Sequence, residues 1–285
     1  MQRVAFQTVL REAAGLAGFT LAQLTSTPKT QLRTFINRRT REYWEHWWWN
    51  QIMHAEERFY RPDYDAVETY AAGDEVYYPT TGKYYTALQA TTANLPTDTT
   101  YWEEASDLDA YILLEQDDEE PIGTVRMVSP DNPLKVDNPR KQLFRPMGDK
   151  IQVLGASVPA SVYVWFREPA PNWLGDDFDA EEIYTAGRVV YFEGDGVDYE
   201  GDFWTCLSTT TAGQDPEDTP AKWERIDYPA WLRAPAAQAA FADWLRQDGS
   251  PEAAKLEDAE AKRLLLSAIH RDGPAQRQLG RTSGA

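Results

Sequence analysis

The chain has very little cysteine and no long apolar run. Cys206 is the only cysteine among 285 residues, so neither a disulfide nor a cysteine-based metal cluster can form within one chain. No stretch approaches the roughly 20 apolar residues of a membrane span. The N-terminal segment is interrupted by Arg11 and Glu12, which predicts an amphipathic helix rather than a secretion signal. We therefore expect a soluble protein without membrane contact, whose stability comes from packing or assembly.

Histidine is also scarce, and no catalytic or cofactor-binding motif stands out. His46 and His54 lie eight residues apart in an aromatic segment, but the chain has no H-E-x-x-H pattern. Helix packing therefore explains these two residues better than a zinc site does. The chain also lacks a phosphate-binding glycine loop and a dinucleotide fingerprint. We expect no enzyme activity, no metal and no cofactor.

The net charge of −18 is unevenly distributed along the chain. Residues 1–62 carry nine Lys/Arg and five Asp/Glu, and residues 228–285 carry eight and seven. The middle, residues 63–227, carries only eleven Lys/Arg against thirty-four Asp/Glu. An acidic central region of this kind repels nucleic acid, while the neutral or basic terminal segments are suited to acidic partners. The acidic residues are equally compatible with simply keeping a β-rich region soluble.

The N-terminal part of the chain has a helical pattern. Thr27 followed by Pro28 is typical of a helix start. Apolar residues then recur at helical spacing as far as Phe59, just before Pro62, which predicts a helix of about 33 residues and roughly 50 Å. A helix of that length needs neighbours along its whole length, from its own chain or from other copies.

The C-terminal part is also predicted to be helical. An alanine-rich apolar face precedes Gly249, which predicts a helix end, and Ser250-Pro251 predicts the start of a second helix reaching about residue 270. Residues 271–285 are polar and contain glycine, so a flexible docking tail is expected there.

Between the helical ends, a β-rich region contains an internal repeat. The first copy reads Y-A-A-G-D-E-V-Y-Y (70–78), G-K-Y-Y-T-A-L (82–88) and Y-W-E (101–103). The second reads Y-T-A-G-R-V-V-Y-F (184–192), G-D-F-W-T-C-L (201–207) and K-W-E (222–224). Each copy predicts a small three-stranded unit, in which one ring of each aromatic pair fills the core and the other faces outward.

These observations predict an α+β protein in which helical N- and C-terminal segments pack together around a large inserted β domain with two small three-stranded modules. The predicted boundaries are 1–62 for the N-terminal helical segment, 63–228 for the β insertion, 68–106 and 182–227 for its modules, 229–270 for the C-terminal helices and 271–285 for the tail.

The repeated motif resembles the small chitin- and cellulose-binding modules of carbohydrate-binding family 5/12. Their consensus has the same order of Tyr, Gly-Asp, Val-Tyr, Gly-Lys-Tyr-Tyr, Pro and Trp, from which the second copy departs at Arg188 and Asp202. Because exposed aromatic rings of that family stack on sugars, the resemblance implies the stacking candidates Tyr85, Trp102, Trp204 and Trp223. The other interpretation is that these rings form a core or a subunit interface.

Three segments characterise the rest of the chain: R-T-F-I-N-R-R-T-R-E-Y-W-E-H-W-W-W (33–49), V-Y-V-W-F-R-E-P-A-P (162–171) and the C-terminal helical stretch 239–269. With these segments, the whole architecture resembles the neck proteins of tailed bacteriophages, which connect head and tail. The resemblance implies a virion protein, assembled in the host cytoplasm, that forms a homo-oligomeric ring, commonly a dodecamer. Such a ring would contact the portal protein and a tail-proximal neck or tail protein, while genomic DNA passes through it without sequence readout.

The same resemblance suggests roles for two sets of arginines. C-terminal tails in that family reach into the portal, which implies that Arg271, Arg277 and Arg281 dock there. The arginines of the N-terminal helix are candidates for bridging acidic neighbours across subunits: Arg33, Arg38, Arg39 and Arg41. Two alternatives remain for these four arginines. They could lie on a solvated helix face and pair with nearby glutamates, or they could contact phosphates. The alternative function is a carbohydrate-binding virion protein that recognises a glycan or host receptor.

Overall fold

The computed structural model describes residues 3–106, 108–115, 121–155, 159–194 and 201–278, excluding the side chains of 273–278. It contains both helices and several small sheets, with 32% of residues helical and 27% in strands. This composition is the one expected for an α+β protein.

The α-helices lie at the two ends of the described chain: α1 (Phe6–Leu16), α2 (Ser26–His46), α3 (Arg233–Gln247) and α4 (Pro251–Gln278). Short 3₁₀ helices span Leu21–Gln23, Asn50–Ile52, Pro220–Lys222 and Ala230–Leu232. Gly249 adopts a φ of +80° between α3 and α4, a conformation that favours glycine. The predicted helix end at this glycine and the predicted restart at Pro251 are confirmed.

Strands occupy most of the region between the helices. The first nine are β1 (Arg3–Val4), β2 (Met53–Phe59), β3 (Thr69–Tyr70), β4 (Glu75–Tyr78), β5 (Lys83–Ala87), β6 (Thr91–Thr92), β7 (Trp102–Glu104), β8 (Tyr111–Leu113) and β9 (Thr124–Ser129). The others are β10 (Leu143–Met147), β11 (Lys150–Leu154), β12 (Ser161–Arg167), β13 (Asp176–Asp177), β14 (Val189–Phe192), β15 (Asp202–Cys206), β16 (Trp223–Arg225) and β17 (Tyr228–Pro229).

The long N-terminal helix predicted from periodicity is wrong beyond His46. Trp47 has an extended backbone, and residues 53–59 form β2, which pairs along its whole length with β12. The sequence did not predict this strand because its charged residues obscure the alternation of apolar and polar side chains. Arg58, for example, is 2% exposed, and its guanidinium lies over the ring of Phe166. Pairing with a distant strand therefore overrides the helical spacing.

The C-terminal tail also differs from the prediction. Helix α4 continues to Gln278 rather than ending near residue 270. Its last described turns are held in place, because Asn50 donates its backbone N–H to the carboxylate of Asp272 and its side-chain amide to the Asp272 carbonyl. The composition of the segment around residue 272 does not reveal this contact, in which the buried carboxylate of Asp272 accepts the backbone N–H of Asn50.

Two compact units divide the described chain. The helical unit comprises residues 3–51 and 170–278, and the β unit comprises residues 52–169. In the helical unit, α1 and α2 pack against α3, and α3 packs against α4. The helical unit also contains the pair β1–β17 and the sheet β13-β14-β15-β16, which forms the second repeat module.

The β unit has its own core between two three-stranded sheets, β2-β12-β9 and β10-β11-β8. Alternate residues of β12 point into this core, and Val162, Val164 and Phe166 are fully buried. The remaining sheets of the unit, β4-β5-β7 and β3-β6, form the first repeat module.

Candidate interaction surfaces

The two repeat modules share an aromatic box that the sequence comparison did not include. In the first module, Tyr64 stacks on Tyr70 at 5.7 Å and meets Trp102 edge-on at 5.9 Å. In the second, Phe178 stacks on Tyr184 at 5.4 Å and meets Trp223 edge-on at 6.1 Å. The signal for the extra members was present as D-Y-D-A (63–66) and D-F-D-A (177–180), so the repeat extends upstream of its first recognised tyrosines.

The two modules also share hydrogen bonds to the backbone at equivalent positions. Asp65 donates its N–H to the Tyr70 hydroxyl at 2.7 Å, and Asp179 donates its N–H to the Tyr184 hydroxyl at the same distance. The indole N–H of each module tryptophan donates to a backbone carbonyl, Trp102 to Asn94 and Trp223 to Gln214. Both modules therefore close their small core in the same way.

The four residues considered for sugar stacking all lie inside these cores. Their exposed fractions are 8% for Tyr85, 1% for Trp102, 9% for Trp204 and 3% for Trp223. A ring without an exposed face cannot stack on a sugar, so the structure favours the core role that the sequence left open. The stacking role finds no support at these positions.

The other ring of each aromatic pair anchors its module to the rest of its unit. The Tyr84 hydroxyl, in the β unit, donates to the carbonyl of Ala160 at 2.7 Å, and the ring joins the β-unit core. Phe203, in the helical unit, packs edge-on against Phe6 of α1 at 4.8 Å. Both rings of each aromatic pair are therefore buried, and the expectation that one of them faces outward is wrong.

Three of the four arginines on α2 are paired within the chain. Arg33 is 5% exposed, contacts Asp177 at 2.6 Å and lies 4.1 Å from the ring centre of Tyr191. Arg38 and Arg39 both bind the carboxylate of Asp243 on α3. Arg41 is exposed, and the described residues offer it no ion-pair partner.

Asp243 is the centre of this charged cluster. Its side chain is 4% exposed and accepts hydrogen bonds from Arg38, Arg39 and Arg246, at 2.5–2.8 Å. Burial acts to raise its pKa, but the hydrogen bonds from the arginines outweigh burial and hold the pKa below its ordinary value. The cluster joins α2 to α3, so these arginines have a structural role within one chain.

A second buried carboxylate joins the second module to α1. Asp202 is 2% exposed and accepts the backbone N–H of Phe6, the first residue of α1, at 2.5 Å. The N-terminus of α1 has no side-chain cap from its own segment, so Asp202 supplies the acceptor from β15. Burial raises the pKa of Asp202 to about 6.

The candidate portal-docking arginines are only partly described. Arg271 is exposed on α4, and its guanidinium approaches the backbone carbonyl of Ser267 at 3.4 Å. The side chain of Arg277 and the whole of Arg281 lie outside the described residues. Their predicted role stays a prediction.

Among the described residues, no group of three or more His, Cys, Asp or Glu side chains is arranged to hold a metal ion. His54 contacts Glu168 at 3.2 Å, while His46 is exposed at the end of α2. No described helix combines the length and hydropathy that a membrane span requires.

The chain matches no protein-family model, no curated protein and no solved structure.

Proposed function

We propose that the protein is a ring-forming head-to-tail adaptor of a tailed bacteriophage virion, which connects the portal to the tail or to the next neck ring. The observation that carries this proposal is the gathering of helices from both chain ends into one unit. Helices α1 and α2 pack on α3, which is followed directly by the long α4, and the β unit is inserted between them. This is the arrangement that the resemblance to neck proteins implies.

In this proposal the chain forms a closed ring with other copies of itself. The resemblance suggests twelve copies, assembled in the host cytoplasm. Each copy carries a net charge of −18, so the ring would present acidic walls to the DNA that passes through its channel. Acidic walls repel phosphates and favour passage without retention.

The proposal places the C-terminal end of α4 at the portal. Arg271 is exposed there, one residue before the anchored Asp272, so it is presented from a fixed helix rather than from a free tail. An exposed arginine on a rigid helix suits an acidic docking surface.

Electron microscopy of the full chain mixed with the portal protein of the same phage genome tests the proposal. We expect a closed ring of this protein seated on the portal, and native mass spectrometry should give its copy number. Arg271→Glu should weaken portal binding, whereas Arg263→Glu should not, because Arg263 pairs with Glu260 on the same helix. A chain that binds neither the portal nor itself would contradict the proposal.

The alternative function, a carbohydrate-binding virion protein, is not favoured by any observation. It requires exposed rings at the four stacking candidates, and these rings are buried in the module cores.

A further inference from the structure

The β unit carries an exposed patch that differs in character from the rest of the chain. Among the described residues, strand β10 is the end strand of its sheet and pairs with β11, and Gln142 just before it forms a single bridge with Val128. Four aliphatic side chains are exposed in or just before this strand. They are Leu134 (61% exposed), Val136 (45%), Leu143 (75%) and Met147 (42%).

A groove of about 680 Å³ lies between β10 and the outer face of the sheet β2-β12-β9. Its walls include the side chains of Arg126, Lys141, Leu143, Phe144 and Trp165. We call this groove, with the exposed Leu143 in its wall, the basic–apolar face. It contains both apolar surface and two cationic groups.

A β-bulge shapes one wall of this groove. The register between β9 and β12 shifts between Trp165 and Phe166, at the position of Arg126. The Arg126 guanidinium lies 4.1 Å from the centre of the Trp165 ring, which fixes both groups in a cation–π contact. The cation and the ring are therefore preorganised before any partner binds.

The charge of this region is opposite to that of the protein. Residues 121–155 carry six Lys/Arg and three Asp/Glu, whereas all other residues carry 22 Lys/Arg and 43 Asp/Glu. One of the six, Arg140, pairs with Asp131. The groove thus contains two cations, Arg126 and Lys141, on a chain whose net charge is −18.

We propose that the basic–apolar face docks a second copy of this chain, whose acidic surface supplies the carboxylates that meet Arg126 and Lys141. This inference rests on the ring-forming function proposed above and assigns one side of the subunit contact. The exposed Leu143 and the apolar groove walls formed by Phe144 and Trp165 suit an apolar partner, which a protein surface supplies and a phosphate backbone does not. A second copy is the acidic protein always present during assembly.

The contact must be heterologous. A two-fold contact would set this basic face against itself, and like charges would repel. A head-to-tail contact instead sets the basic face of one copy against an acidic face of the next, and repetition of such a contact gives a ring when its rotation closes. Pro146 removes one N–H from β10, so side chains rather than an extended strand ladder make the contact.

Zero-length cross-linking of the full chain tests this assignment directly. Equal amounts of ¹⁴N- and ¹⁵N-labelled protein are mixed and treated with a carbodiimide, and mass spectrometry separates links between copies from links within one copy. We expect Lys141 to join a carboxylate of another copy, and Lys262 of α4, which is also exposed, to give far fewer such links. Rings in which Lys141 gives no inter-copy link would overturn the inference.

Leu143→Glu provides the second measurement, with Leu95→Glu as the matched control. Both leucines are largely exposed in the β unit, so neither substitution should disturb folding, which circular dichroism verifies. We expect Leu143→Glu to weaken self-association at least tenfold by sedimentation, and Leu95→Glu to leave it unchanged.

The outcomes separate the two proposals. If the wild type forms rings and Leu143→Glu forms them equally well, the assignment of this face is wrong and the adaptor function stands. If Lys141 links only to the portal protein, or if the face retains only DNA, the assignment is also wrong. If the wild type forms no ring alone or on the portal, the adaptor function fails, and this inference fails with it.

Discussion

At the scale of single residues, the buried carboxylate of Asp243 links α2 to α3 within the helical unit. Three arginines from two helices donate to it, and the side chain is almost completely removed from solvent. A buried ion pair adds little net stability compared with an apolar contact, but breaking it leaves uncompensated charge. Removal of the carboxylate charge should therefore cost far more than removal of an exposed one.

We expect Asp243→Asn to lower the free energy of unfolding by about 2–4 kcal/mol, measured by urea denaturation at pH 7. Asp248→Asn, an exposed carboxylate just beyond the same helix, is the control and should change stability by less than about 0.5 kcal/mol. Because the folded pKa of Asp243 is depressed, its contribution is present above the unfolded pKa and is lost as the pH falls through the folded pKa. Equal stability of both variants would contradict the role assigned to the cluster.

Asp202 should have the opposite pH dependence. Its folded pKa is about 6, above the ordinary value of 3.8, because burial disfavours its charged form. The folded state therefore binds its proton more tightly than the unfolded state, and the wild type should lose up to about 3 kcal/mol of stability between pH 4 and pH 7.

Denaturation of the wild type and of Asp202→Asn at several pH values measures this effect. The variant cannot titrate at this position. The difference in free energy of unfolding between the variant and the wild type should therefore change steadily between pH 4 and pH 7. Asp176→Asn, an exposed carboxylate of the same module, serves as the control and should run parallel to the wild type. Parallel curves for Asp202→Asn as well would show that its carboxylate does not titrate in this range.

At the scale of elements, the sequence predicted best where a local signal decides the structure. The end of α3 before Gly249 and the start of α4 at Pro251 follow from turn residues next to them in the chain. Prediction failed for β2, because a buried arginine and neighbouring glutamates break the alternation. The continuation of α4 also depends on a distant contact, that of Asp272 with Asn50, which no local pattern reveals.

The repeat shows the same division between local and distant information. Its order of strands was readable from glycines and aromatic pairs, since each module folds from one continuous segment. Which ring of each pair faces the module core was not readable, because Tyr84 and Phe203 are buried by parts of the chain outside the module. The four stacking candidates, by contrast, are buried by residues of their own modules.

The modules give a prediction that separates a core role from a sugar-binding role. Trp102→Ala and Trp223→Ala should each destabilise the protein by about 3–5 kcal/mol, since each removes a buried ring from a small core. Leu88→Ala, an exposed residue of the first module, is the control and should have little effect. The wild type itself should not be retained on chitin or cellulose, and retention that depends on either tryptophan without loss of stability would contradict this account.

At the scale of the whole molecule, the chain is a helical unit interrupted by a self-contained β unit. The two ends of the β unit meet, because Glu168 donates its N–H to the carbonyl of Ile52 at 3.0 Å and Met53 pairs with Arg167. The core of this unit draws all its members from residues 52–169. An insertion whose ends are adjacent and whose core is complete should not need the surrounding helices to fold.

Residues 52–169 expressed alone should therefore fold into a stable domain. We expect dispersed amide NMR signals and a single cooperative thermal transition. The same fragment with Val164→Asp is the matched control and should be unfolded, because this substitution places a charge in the fully buried centre of β12. A wild-type fragment as disordered as that control would mean that the β unit requires the helical unit for its stability and is not an independently folding insertion.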